Sequence, residues 1–158
     1  MQEYGASFGL GVVAGMRSMA ACAALTWAAS QGRTRGDVIP AGPGARTLAT
    51  AAAVAEMAGD KMPFAPDRRI PASFAFRLAI GAVGGWALAG RRATPAYGAL
   101  AGVAGAVAGT LLGRAARGGD SHSAEGRIRG LAEDAVAAGL AVLVVMSADP
   151  ERHRGAPR

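Results

Sequence analysis

Seven charged residues stand inside or at the ends of apolar runs, where charge is expensive. Glu56, Asp60 and Lys61 close an alanine-rich stretch that Pro63 cuts off; Glu133 and Asp134 lie side by side in the last apolar run; Arg17 and Arg77 interrupt two others. On a helix Glu56 and Asp60 share a face, and Lys61 is one residue's rotation away. Glu133 and Asp134 point about 100° apart, so only one of them is expected to face a common partner. A charge buried without a partner costs a great deal. The four acids and three bases are therefore expected to pair inside a helical bundle, with Arg17 or Arg77 near Glu56 and Asp60 and near Glu133 or Asp134.

Such a cluster suits two kinds of chemistry. Crowded carboxylates beside arginines pass protons or cations, or hold a small substrate. The same pairs can instead fix helix register, with Asp60 and Lys61 reaching the membrane surface. Glu56 and Arg17, deeper in their runs, fit the first role; Asp60 and Lys61, just before a helix-ending proline, fit the second. The four acids could in principle hold a divalent cation, but the basic neighbours compete for the same oxygens, so no metal is expected. His122 and His153 have neither ligand spacing nor a triad context. The glycines recur at four-residue spacing and form no phosphate loop after a strand. No catalytic residue, cofactor or enzyme activity is expected. The lone Cys22 excludes an intrachain disulfide and a cysteine-based metal site.

The elements that must position these charges look like membrane helices. The 158 residues are 51% apolar but only 5% aromatic, with 24 glycines. A soluble core draws on Leu, Ile, Val and Phe; alanine and glycine suit helices that approach closely in lipid. The net charge is +6, and all the basic residues but Lys61 are arginine. They are spread over every interhelical segment with little aromatic interleaving, which argues against nucleic acid and for anionic lipid headgroups as partners.

Five spans are expected, at about residues 5–29, 45–62, 71–90, 94–116 and 126–148, in an all-α integral membrane bundle. Residues 1–148 would form one domain and 149–158 a polar tail. The first run lacks the positive start of a signal peptide and belongs to the mature protein. Either Arg17 faces protein or water, or the first helix breaks at Gly15. A four-span alternative makes the second span re-entrant. Tyr4-Gly5-Ala6 resembles Tyr97-Gly98-Ala99, Gly9 matches Gly102, and Val54-Ala55-Glu56 resembles Leu131-Ala132-Glu133. These matches suggest two inverted two-helix repeats around a central helix, a pattern common in transporters. Positive charge divides almost evenly between the two sides and sets no orientation.

Gly15-Met16-Arg17-Ser18, Glu56-x-x-x-Asp60-Lys61-x-Pro63 followed by Pro66-x-Arg68, Arg77 before Gly81-Ala82, and Glu133-Asp134 together resemble the bacterial membrane proteins of the domain-of-unknown-function 4126 family. The resemblance covers nearly the whole chain. It implies a small multi-pass protein of the inner (plasma) membrane and no particular reaction. From the residues, two functions are expected: a homo-oligomeric ion channel or secondary transporter for a small ion or metabolite, with the charged cluster in its path, or a non-transporting scaffold or accessory subunit whose charges are structural.

Overall fold

Three helices begin on proline, at Pro43, Pro71 and Pro95. Proline suits the first helical position because its missing N–H would have had no partner there. The computed structural model describes residues 4–59, 71–90, 92–116 and 124–148. Within them lie six helices and no strand: α1 (Gly5–Met16), α2 (Ser18–Ser30), α3 (Pro43–Gly59), α4 (Pro71–Ala87), α5 (Pro95–Ala116) and α6 (Ala124–Ser147). The all-α expectation holds. Helix α5 lies within a residue of the ends expected for the fourth span, and α6 begins two residues before the start expected for the fifth.

The first span is not one helix. Arg17 alone leaves the helical conformation, at φ −143° and ψ 104°, two residues beyond the expected break at Gly15. Past it, α2 turns back toward the end at which α1 began. Leu10 of α1 and Leu25 of α2 both crowd Gly84 of α4. The residues after α2 reach the same level as the start of α1: the Arg35 N–H donates to Ala87 O at 2.8 Å, while Ser7 Oγ donates to Gly85 O at 2.7 Å. The expected 25-residue crossing is therefore a helical hairpin with Arg17 at its apex. Its arms of 12 and 13 residues reach only about 18–20 Å each at ~1.5 Å per residue. The first apolar run folds back on itself.

The remaining directions follow from contacts. In α3, Glu56 meets the start of α2 and Thr50 meets Trp27, so α3 is antiparallel to α2. In α4, Arg77 meets Gly15 and Gly85 meets Ser7, so α4 is antiparallel to α1. In α6, Asp134 meets Arg17 and Val144 meets Gly9, so α6 also opposes α1. Helices α1 and α5 run parallel. Tyr4 and Tyr97 at their starts meet edge to face at 6.5 Å, Gly11 lies on Gly102, and Gly15 lies on Ala106 and Gly109. Inverted repeats would set these two helices in opposite senses, so that expectation is overturned. The reason is the hairpin: it returns the chain to its starting end, leaving α3 and α4, among the described residues, as the two passages before α5.

Glycine makes the α1–α4–α5 contacts possible. A β-carbon at Gly102 would strike the carbonyl oxygen of Gly81; at Gly105, that of Phe8; at Gly109, that of Val12. At Gly81 it would sit 2.6 Å from Gly102 O. Backbone therefore touches backbone, the close approach that small residues permit in helix pairs. The interior is built from Leu10, Val13, Ala14, Ala21, Leu25 and Ala28 with Arg17, Arg77, Glu133 and Asp134 among them. The outer surface displays Leu48, Val54, Phe76, Leu100, Leu111, Ile128, Leu143 and Met146, each at least half exposed. Two helices, Pro95–Ala115 and Ile128–Ser147, are long and apolar enough to cross a membrane; α1 and α2 are apolar but short.

Candidate polar site at the hairpin apex

In an unbroken helix the N–H groups of Ser18 and Met19 would bond the carbonyls of Ala14 and Gly15. The turn at Arg17 cancels both bonds and leaves orphan donors at the start of α2 and orphan acceptors at the end of α1. The chain answers each set with a side chain from a different helix. Ser18 N–H donates to Glu56 Oε1 at 3.2 Å and Met19 N–H to Glu56 Oε2 at 3.0 Å, so one α3 carboxylate spans the N-terminus of α2. Arg77 of α4 donates through Nη1 to the Gly15 carbonyl. Thr110 of α5 holds its hydroxyl 3.4 Å from the same oxygen while donating to Ala106 O at 2.8 Å.

The charges match the helix dipoles. The start of α2 carries partial positive charge and receives an anion; the end of α1 carries partial negative charge and receives a cation. The apex residue is held as well. Arg17 N–H donates to Val13 O at 2.7 Å, closing α1, and its guanidinium Nη2 lies 2.6 Å from Asp134 Oδ1 on α6. Arg17 is 3% exposed, and Arg77, Glu133 and Asp134 are buried too. Each of α3, α4, α5 and α6 thus brings one polar side chain to a single point where the chain reverses.

Four of the seven charged residues picked from the sequence meet here: Arg17, Glu56, Arg77 and Asp134. One expectation about them changes. Glu56 was expected to pair with an arginine, but its carboxylate is taken by backbone donors that exist only because the helix breaks. Glu133 and Asp134 are both buried, and Asp134 meets Arg17. Glu133 lies on the inward stripe of α6 with Ala137, Val144 and Ala148, and Asp134, at its edge, reaches across to the apex. Asp60 and Lys61 lie outside the described residues. Among the described residues, no three His, Cys, Asp or Glu side chains gather as metal ligands.

Sequence reasoning missed three contributors. Thr110 sits in an alanine- and glycine-rich helix, where a threonine commonly bonds its own preceding turn and carries no signal. Arg33 and Arg35 read as loop charges meeting lipid, yet both bond helix ends. Arg33 Nη1 donates to Met146 O at 3.0 Å and Ala148 O at 2.7 Å, closing α6. Arg35 donates to Ala89 O, Gly90 O and Ala93 O at 3.0, 2.6 and 3.0 Å, beyond the end of α4. A basic side chain at a helix C-terminus satisfies orphan carbonyls and complements the dipole.

The apex therefore holds opposite charges close together in a buried interior, with an anion on a helix N-terminus and a cation on a helix C-terminus. Comparison with protein-family models, curated proteins and solved structures returned no significant match. The likeness to the 4126 family rests on the residues quoted for it.

Proposed function

We propose that the protein is a multi-pass membrane protein of the cell inner membrane that moves a small ion or metabolite past the hairpin apex, and that it belongs with the small membrane proteins it resembles. In this reading α3, α4, α5 and α6 cross the bilayer, the α1–α2 hairpin enters from one side and returns, and both chain ends face the same side. The single observation that carries it is the broken helix itself, its two ends and its apex served by charged side chains from three other helices. Irregular backbone at membrane depth occurs where it is buried in protein or lines a cavity, and half-helix ends serve as substrate and ion sites in transporters. The apolar exterior around a charged interior supports the same reading. Association into homo-oligomers and contact with anionic headgroups belong to this proposal.

The test is flux. Purified protein in liposomes is expected to pass a monovalent cation, a proton or a small organic anion, and Asp134→Asn is expected to cut that flux by at least about tenfold, as for a lost charge contact of ~1.4 kcal/mol, while eluting as the same species. If the wild type moves none of these, transport is wrong. A second reading, a non-transporting scaffold, is favoured by one observation: Glu56, Arg77 and Arg17 all bond within the chain already. It expects Asp134→Asn to lower thermal stability, no flux from the wild type, and co-purification of a fixed membrane partner.

A further inference from the structure

One helix is held unlike the others. Along α3 only Ala53 is buried, and α3 packs almost wholly against α2. Among the described residues its attachments are few and can be named. Near its start, Arg46 stacks over the Trp27 ring at 5.0 Å, and Trp27 Nε1 donates to Thr50 Oγ1 at 3.3 Å. Near its end, the Glu56 carboxylate takes the Ser18 and Met19 N–H groups. Between these points Ala53 offers one methyl group, and Met57, just past Glu56, packs against the core. No glycine of α3 meets another element closely: a β-carbon at Gly44 or Gly59 would find open space. Contrast α5, where a side chain at Gly98, Gly102, Gly105 or Gly109 would hit backbone.

We propose that α3 is a strap latched by Glu56, which swings away from α2 as a unit to uncover the hairpin apex. The latch is the strongest attachment, because charge-assisted hydrogen bonds to backbone donors exceed neutral ones. It also sits where opening matters. Releasing Glu56 bares the two N–H groups that begin α2, next to the Arg17–Asp134 pair and the Arg77-bound end of α1. The attachments near Trp27 lie at the other end of the strap and act as its hinge side. Helix α2 does not follow, since the residues after it are tied to α4 and α6 through Arg35 and Arg33. Low-stability units that open locally are where gating elements are found. The strap concerns motion and does not depend on any solute being carried.

Cys22 reports the motion without engineering. It is the chain's one cysteine, is partly buried, and falls on α2 between the two attachment regions, one turn past Met19 and one turn before Trp27. N-Ethylmaleimide labelling of detergent-solubilised protein, followed by mass spectrometry, is expected to be slow in the wild type. In Glu56→Gln it is expected to run about tenfold faster, with each rate normalised to the thiolate fraction read from its pH dependence, as for an opening equilibrium that loses a cap of ordinary strength. Hydrogen exchange on the same samples is expected to speed up in α3 and stay unchanged in α5. An unchanged Cys22 rate, or exchange rising equally in α3 and α5, overturns the strap. Should Glu56→Gln fail to fold, the wild type decides alone: α3 must exchange well ahead of α5, and equal protection overturns the proposal.

Discussion

The α1–α4–α5 group and the α2–α3 pair are joined at Arg17 and built on opposite rules. The first holds by absence. Where Gly81, Gly85, Gly98, Gly102, Gly105 and Gly109 stand, no side chain separates the helices, and backbone rests on backbone. The second holds by a few particular side chains: a tryptophan, a threonine, an arginine over a ring and one carboxylate. Packing by absence tolerates no added atom and has no intermediate position. Packing by a handful of polar contacts can be undone one contact at a time. A single extended residue joins the first helix of the rigid scaffold to the helix that carries the releasable element.

Substitutions sharpen the contrast, beginning where the two groups meet. Arg17→Ala leaves Asp134 buried without its guanidinium and should cost about 3–5 kcal/mol, the usual penalty for breaking a buried pair from one side; thermal unfolding in detergent measures it. Gly102→Ala puts a methyl group against the Gly81 carbonyl and should cost about 1–3 kcal/mol by overpacking. Its signature is a lowered midpoint with α1, α4 and α5 all gaining hydrogen exchange together. Glu56→Gln keeps the shape of the cap and loses its charge, at about 0.5–2 kcal/mol. Here the exchange gain should stay within α3, and a gain spread across α5 would erase the distinction drawn above. Smallest is Thr50→Val, which removes one partly exposed hydrogen bond for about 0.5–1.5 kcal/mol and should leave α5 untouched.

How much of this could be read beforehand depended on what marked each feature. Proline and charge marked helix ends well: Pro95 opens α5 and Pro71 opens α4 as expected, and four of the residues picked by the cost of burying charge, Arg17, Glu56, Arg77 and Asp134, come together in the fold. The reversal at Arg17 was marked by charge alone. A single extended residue between two apolar helices has no proline, and the combined run has the length of a membrane crossing. The clue lay in the arginine at its centre, whose cost is met by turning the chain there. The partner of Glu56 was misread for the same reason. Its acceptors' mates are backbone N–H groups, which no side-chain pairing scheme includes until the break is known. The buried arrangement of Glu133 beside Asp134 depended on where α6 lies across the hairpin, a matter of tertiary packing rather than of helical rotation alone.

The two arginines after the hairpin set an order on how the protein is made. Arg33 is made before the carbonyls it binds, which belong to Met146 and Ala148, more than a hundred residues later. Arg35 finds its carbonyls at Ala89 to Ala93 once α4 has been made. The α1–α2 hairpin is thus completed in two stages, by α4 and then by α6. Until α6 is made, Arg33 lacks these carbonyls and Arg17 lacks Asp134, so a chain cut short before α6 would leave the hairpin unfinished.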